Sequence, residues 1–358
     1  MSLDRPMKTA LAQCIRTASR PTSSRCRRRS AGRGRANGAP DGGRTRAQCH
    51  RFWALASVCA CTLLLLGVLA GCAGVRSPND ASATGHPPGS DEVRLVVSRG
   101  FGASVTHDET VPWHPGLTVM ALLSEQAAVT TQYGGGFVSG IDGLKSTFGG
   151  VSAAKAADWF YWVDGVMASV GAADYRLHGG QTVWWDYHRW AHAMFVPATL
   201  SAFPVPWKGH AMALASDQSW PGLSDWVKAA GLTIAQTSPL STPASSGALV
   251  VATPRQAADT PWLARLLAAG DGGLHLVQLQ SGRVSLLSPT GAKGPTVEAV
   301  VMALPHQSGD GRLYLVILAA SPAAAEQLLA QLRPSACIAR VGVALVGGKL
   351  VSLPWSAQ

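Results

Sequence analysis

The sequence predicts an α+β protein: a small β-rich domain with one helix, then a second α/β or α+β domain with a mostly antiparallel sheet. Three observations carry this. Short runs of β-branched and aromatic residues alternate with turn signals over residues 92–200, and again over 210–358. A single helical period interrupts the first series. A breaker-rich stretch with Pro197, Pro204, Pro206 and Gly209 reads as a linker between them. At 358 residues, 47% hydrophobic and 14% charged, the chain has the length for two domains and the apolar content for real cores.

Before these domains lies an address. The chain carries 30 Lys+Arg against 20 Asp+Glu, a formal net charge of +10. Residues 1–51 hold 13 of the basic and 2 of the acidic residues, a net of +11; the remaining 17 and 18 leave 52–358 at −1. The basicity belongs to a disordered leader, and the folded part offers no electrostatic case for nucleic acid. From Phe52 to Val75 there is no charge, and the apolar segment 52–71 ends in Leu69-Ala70-Gly71-Cys72. Basic, apolar and small residues in that order describe an export signal. This ending resembles a bacterial lipobox, in which the thiol after the cut carries the lipid; Cys72 is the expected lipidation site. An uncleaved helix is the competing reading, since a run of about 20 apolar residues can span a bilayer. Both place the rest of the chain on the extracytoplasmic face. Signals usually run about 15–30 residues, so residues 1–40 are expected to be an upstream start or a disordered extension. Residues 72–91, rich in Ser, Pro, Gly and Asp, form the expected tether.

The elements follow in order. Val93–Ser98 is a strand and Thr110–Trp113 a short one. Thr118–Ala127 is a helix, with Val119, Leu122 and Leu123 at helical spacing and Thr118 as its cap. Residues 128–133 are extended and Gly134-Gly135-Gly136 is a loop. Phe137–Ile141 is a strand ending in Asp142-Gly143, and 144–157 is expected as loop. Asp158–Val163 is a strand of strong β-formers, turned by Asp164-Gly165 into Val166–Val170. Asp174–Leu177 and Thr182–His188 are further strands. In the second domain, helices are expected at 225–230, 260–269 with Thr260 as N-cap, and from Ser321-Pro322 to Leu332. Strands are expected at 247–252, 274–279, 282–287, 297–304, 313–319, 340–346 and 349–353.

Six of the twelve Trp fall between Trp159 and Trp207. Alternation in a strand puts Trp159, Tyr161 and Val163 on one face, and Phe160 and Trp162 on the other. Likewise Val183, Trp185 and Tyr187 oppose Trp184, Asp186 and His188. One set fills the core. The other either forms an exposed aromatic binding surface or is covered by the second domain.

The residues Asp158–Gly165, Gly171–Leu177 and Gly179–Tyr187 resemble the DUF4430 family, which is also described as similar to the C-terminal domain of transcobalamin and intrinsic factor. Arg99-Gly100-Phe101-Gly102, Val119–Leu123 and Tyr133–Val138 fit the same pattern, so the resemblance covers about 90–200. It implies a β-grasp-like domain of the transcobalamin C-terminal type, and cobalamin as a ligand. Tyr133, Trp159, Tyr161, Gly165, Gly171, Tyr175, Trp185 and Tyr187 would then line the ligand face. The large helical domain of the B12 carriers is absent, and Asp164 stands where their turn often has Asn. The segment 210–358 looks like the tail of some actinobacterial members of the family.

Catalytic and metal motifs are sparse. The exported part holds no Gly-x-Ser-x-Gly elbow, and Gly134-Gly135-Gly136 lacks the Gly-Lys-Ser/Thr of a phosphate loop. Asp108 and Glu109 are adjacent and point apart in a strand. His188, His192 and Asp186 do not complete a metal set, and His188 is expected at the surface, with His107 and His114 in loops. Five of seven Cys precede Cys72, which leaves Cys337 as a small buried hydrophobe. The expectation is a lipid-anchored, non-catalytic cell-surface protein without metal or cofactor. It would bind a small molecule, cobalamin-like, for a transporter partner. The alternative is an envelope module binding a partner protein or polysaccharide.

Overall fold

The computed structural model describes residues 88–147, 155–189, 196–243, 247–268, 276–306 and 312–356. Cys72, the apolar segment, the tether up to 87 and His192 lie outside these residues. Among the described residues no helix is long and apolar enough to cross a membrane. The protein is α+β, and its described residues form mostly antiparallel sheets and six helices.

The first sheet is built from β1 (Glu92–Arg99), β2 (Ser104–Pro112), β6 (Ala157–Val163), β7 (Val166–Met167) and β8 (Thr182–Arg189), in the order β2-β1-β8-β6-β7. β1 and β8 run parallel and the other pairs antiparallel. Helix α1 (Val119–Gln126) starts where the sequence puts it: the Thr118 hydroxyl accepts from the Ala121 N–H at 3.1 Å. Val119, Leu122 and Leu123 are its buried face. Strands β3 (Val129–Gln132), β4 (Phe137–Ile141) and β5 (Leu144–Lys145) make a small antiparallel sheet. Asp164 (φ 48°) and Gly165 (φ 74°) adopt the left-handed pair that a type I′ turn requires.

A seven-stranded sheet follows, in the order β10-β9-β11-β16-β15-β17-β18. Its strands are β9 (Ala211–Ala215), β10 (Thr233–Ser238), β11 (Ala248–Ala252), β15 (Ala299–Pro305), β16 (Leu313–Ala319), β17 (Gly342–Val346) and β18 (Lys349–Leu353). β11 and β16 are buried along their whole length, as apolar runs covered on both faces must be. One face packs on helices α2 (Leu223–Ala229) and α5 (Pro322–Gln331). Helices α3 (Pro254–Asp259) and α4 (Pro261–Leu267) pack on the other, with the sheet of β12 (Val277–Gln280), β13 (Arg283–Leu287) and β14 (Lys293–Thr296). Helix α6 (Pro334–Cys337) is one turn and buries Cys337.

Several expectations are corrected. Asp174–Leu177 is not a strand; it contributes one bridge, Thr118 to Arg176. β2 begins at Ser104 and carries His107, which lies in a strand and not a loop. The return strand after Gly165 is two residues long. Thr260 does not cap α4, because its hydroxyl donates back to the Gln256 carbonyl at 2.7 Å, closing the preceding helix α3. The expected linker is packed: Ala198, Leu200, Phe203 and Trp207 are buried, and Phe203 stacks on Trp226 at 5.7 Å. The described residues, 88 to 356, fall in one compact unit. One core cluster takes Val96, Trp162 and Trp184 from the first sheet and Phe101 from its β1–β2 turn, together with Val250, Val300, Met302 and Val316 from the second.

Candidate functional site

The aromatic ladder between β6 and β8 sets the frame. Trp159 faces Tyr187, Tyr161 faces Trp185 and Trp162 faces Trp184 across the antiparallel pair. Their ring centroids lie 5.3, 4.8 and 4.7 Å apart, within the range where aromatic pairs attract beyond simple burial. Alternation divides the ladder into the two expected faces. The face of Trp159, Tyr161, Val163, Val183, Trp185 and Tyr187 packs with α1 and the small sheet. The face of Trp162 and Trp184 is sealed against the second half of the chain.

The eight residues predicted to line a ligand face therefore part company. Trp159 and Trp185 are buried. The Trp159 indole donates to the Leu144 carbonyl at 3.0 Å, and the half-buried Tyr187 hydroxyl donates to Lys145 O at 3.1 Å, so both rings hold β5 in place. Gly165 is pinned: its carbonyl accepts from the Thr199 N–H at 2.7 Å, and a Cβ there would meet Thr199 O at 2.5 Å. These residues build the fold and leave no open wall of rings.

Tyr161, Gly171 and Tyr175 do come together, and the loop that Tyr133 opens lies against Gly171 through Gly136. Tyr133 is 72% exposed. It opens a run of left-handed backbone, with φ of 53° at Tyr133, 71° at Gly134 and 95° at Gly135. A bulky residue in that region is strained unless its surroundings hold it there. Phe137 supplies an edge contact to the Tyr133 ring at 6.3 Å. A Cβ on Gly171 would lie 3.5 Å from the Gly136 carbonyl, which sets the 170–171 turn against this loop. Val170, 48% exposed, adds apolar surface, and its carbonyl accepts from the Tyr161 hydroxyl. The N–H groups of Asp174 and Tyr175 return to Gly171 O at 3.0 and 3.2 Å. Burial pushes the Tyr161 phenol well up, helped by Tyr175 and Asp174, and burial raises Tyr175 too. Both phenols stay protonated at any physiological pH. We call this assembly the Tyr133 lip. Val170 and the exposed Thr130, Thr131 and Gln132 were not singled out in the sequence, although the uncharged run Val129–Ile141 was there to be read.

A second polar feature lies under the ladder. Asp186 is fully buried and its carboxylate accepts from the Phe101 N–H at 2.8 Å, the Gly102 N–H at 3.1 Å, His188 Nδ1 at 3.0 Å and the Ser98 hydroxyl. Gly100, Phe101 and Gly102 have φ of 63°, 60° and 75°, a conformation that turns successive N–H groups toward one anion. His188 is buried, not at the surface as expected, with its ring stacked on Phe101 at 4.0 Å and on Phe160 at 4.5 Å. Its Nε2 has no hydrogen-bond partner. A Ser-His-Asp relay needs the serine on Nε2; here Ser98 donates to the carboxylate, so the group acts as a structural hub. Among the described residues no His/Cys/Asp/Glu cluster could hold a metal ion. Cys337 is buried and its thiol is pushed up to about 12 by that burial.

Comparison with known proteins agrees with the DUF4430 resemblance over part of its expected span. Residues 116–189 match the family model DUF4430, a domain of unknown function, and the chain carries that domain. No curated protein matches the chain. Among solved structures, one similar chain comes from Ruminococcus gnavus and is described as a proposed metal binding protein. It is 10% identical over 27% of this chain and 95% of its own, with a TM-score of 0.21.

Proposed function

We propose, for a chain that carries a DUF4430 domain, a non-catalytic binding role at the outer face of the cell membrane. Cys72 bears the lipid, residues 72–91 form the tether, and the Tyr133 lip receives a small molecule that passes to an uptake transporter. The observation that carries the reading is Tyr133 itself. A large aromatic side chain stands in solvent on left-handed backbone, with the edge of Phe137 at its ring and the turn at Gly171 set against Gly136 of the same loop. Backbone of that kind persists where the surroundings impose it, and it concentrates at ligand contacts. Two lipid chains hold a protein at a bilayer stably, since each buried CH2 contributes about 0.8 kcal/mol.

Cobalamin is the first ligand to test, because the sequence resembles the corrinoid carriers over 90–200. Calorimetric titration of the detergent-solubilised chain with cobalamin, repeated on Tyr133→Ala, is the experiment. Heat and tryptophan quenching that vanish in the variant support the corrinoid form of the reading, and an absence of both in the wild type removes it. A second reading, an envelope interaction module, is favoured by the same 72% exposure: a protruding ring suits a platform for a large partner better than a pocket for a small one.

A further inference from the structure

We propose that the end of the first sheet where β1 and β8 finish and β6 begins is a docking surface for a linear polyanion of the cell wall, a polymer that repeats phosphate or carboxylate groups. The inference goes beyond the Tyr133 lip and does not need it. The topology carries it. β1 and β8 run parallel with Arg99 opposite Tyr187, and β6 runs antiparallel to β8 with Ala157 opposite Arg189. Arg99 and Arg189 therefore close the same end of the sheet, and Lys155 precedes Ala157 there. Alternation puts both arginines on one face. Val93, Leu95 and Val97 of β1 and Val183 and Trp185 of β8 pack toward α1, and Arg99 and Arg189 continue those two rows. The half-buried Tyr187 belongs to the same face. Its hydroxyl donates to the Lys145 carbonyl at 3.1 Å, which brings β5 and its lysine to this end. Arg99, Lys145, Lys155 and Arg189 are all exposed.

Carboxylates do not balance this group. Asp142 lies within it and is held by His107 Nε2 at 2.6 Å; that hydrogen bond is the main cause of its lowered pKa, and Arg99 adds to the effect. Glu109 stands across from Leu95, about 13 Å up the sheet. The buried Asp158 and Asp186 lie on the opposite face with His188. Residues 148–154 and 190–195 contain no Asp or Glu. The far end of the same sheet has Asp91, Glu92 and Asp164 against Arg176. Residues 52–358 sum to −1, with 17 basic and 18 acidic residues, so the basic end is a local excess.

These cations select the occupant. Guanidinium groups pair with phosphate and carboxylate oxygens in a planar fork. Exposed cations spread over the ends of two sheets exceed what one small anion can touch, and they suit a chain of anions. A protein partner needs an apolar centre. Val105, the exposed apolar residue at this end, pairs with Ser98 on the opposite face. Anionic headgroups of the bilayer are the other source of such charge. The described chain enters beside Glu92, and the eight residues of β1 separate that point from Arg99 by about 23 Å. Under the anchoring proposed above, the basic end lies away from the entry of the tether, which favours a wall polymer.

The test uses the full chain in phosphatidylcholine nanodiscs, with long-chain polyphosphate as the polyanion, dextran as the neutral polymer, and discs containing phosphatidylglycerol as the bilayer arm. Lysine acetylation followed by peptide mass spectrometry reads the footprint. The basic leader is the same in every variant, so the footprint and the difference between variants read the folded surface. Polyphosphate is expected to protect Lys145 and Lys155 and to leave Lys228 and Lys349 reactive, and dextran is expected to protect none. Each cation on a flexible polyanion adds about 0.7 to the salt slope, so at 50 mM salt Arg99→Gln with Arg189→Gln should raise the half-protecting concentration about sixtyfold, taking 1 M salt as the reference. Arg176→Gln with Arg265→Gln removes the same charge elsewhere and should stay within about twofold of the wild type. Circular dichroism of both double variants confirms the fold. Equal protection of the four lysines, no protection of Lys145 and Lys155, or equal half-points for the two double variants each overturns the proposal. Protection by phosphatidylglycerol discs without protection by polyphosphate assigns the surface to the bilayer and also overturns it. Failure here leaves the Tyr133 lip standing, because the cobalamin titration of Tyr133→Ala reads that site separately.

Discussion

Removing the Asp186 carboxylate should loosen the joint between the two halves of the protein. The buried carboxylate holds two backbone N–H groups, at 2.8 and 3.1 Å, together with His188 Nδ1 at 3.0 Å and the Ser98 hydroxyl. Ser98 can turn toward the Trp185 carbonyl, 3.5 Å away. The N–H groups of Phe101 and Gly102 cannot turn, and an orphaned buried donor costs about 1–3 kcal/mol. Two backbone donors and the imidazole put Asp186→Ala at about 3–5 kcal/mol, a large share of the 5–15 kcal/mol of a typical domain. Asp186→Asn keeps one acceptor but turns an amide N–H toward a donor, so it should lose about half as much. The turn docks the second half as well. A Cβ on Gly102 would meet Ala339 O at 1.8 Å, and Arg340 Nη1 donates to Gly102 O at 2.6 Å. Urea denaturation followed by tryptophan fluorescence measures the effect. A loss under about 1 kcal/mol for Asp186→Ala, at unchanged m-value, would refute the hub.

Other outcomes follow from the same geometry. Gly165→Ala combines φ 74° with a Cβ 2.5 Å from Thr199 O, and should cost at least about 1 kcal/mol by the same denaturation assay. Asp164 and Asp142 should show opposite pH behaviour. Burial raises Asp164 above its usual 3.8, against the hydrogen bonds from Thr182 and Gln181. Its anion therefore weakens folding at neutral pH, and the wild type should gain on Asp164→Asn as pH falls from the folded value toward 3.8. For Asp142 the His107 hydrogen bond at 2.6 Å is the main cause of a lowered value. Its contribution is present above 3.8 and disappears as pH falls through the folded value; on this exposed pair it should be under about 1 kcal/mol relative to Asp142→Asn. Native-state alkylation followed by peptide mass spectrometry should leave Cys337 unmodified at pH 8, because the thiol is buried and raised to about 12. Rapid labelling would mean that α6 opens.

Much of the fold was legible because local signals and tertiary context agreed. Thr118 before an apolar period gave α1, and Asp-Gly between β-formers gave the turn at 164–165. Continuous apolar runs gave β11 and β16. The misses share a cause. β10, Thr233–Ser238, lies mostly exposed at the sheet edge and has no strong pattern. α3 is a six-residue helix whose capping box, Thr253 with Gln256, sits directly after a strand. Four breakers made 197–210 look like a linker, yet the Phe203 and Trp207 side chains between them are what the core takes. At the site, alternation gave the two aromatic faces. It could not tell which rings would be covered, since the partners of Trp162 and Trp184 come from strands far along the chain. Nor could spacing reveal that the buried His188 would lie between Phe101 and Phe160.

Site-specific photocrosslinking in living cells brings the address and the lip into one experiment. A benzophenone amino acid replaces Tyr133, and in a second strain it replaces Val105, the 46% exposed apolar residue on β2. The account predicts an adduct at 133 with an envelope component, recovered in the membrane fraction, and none at 105. A chain found in the cytosol, or equal adducts at both positions, would contradict it.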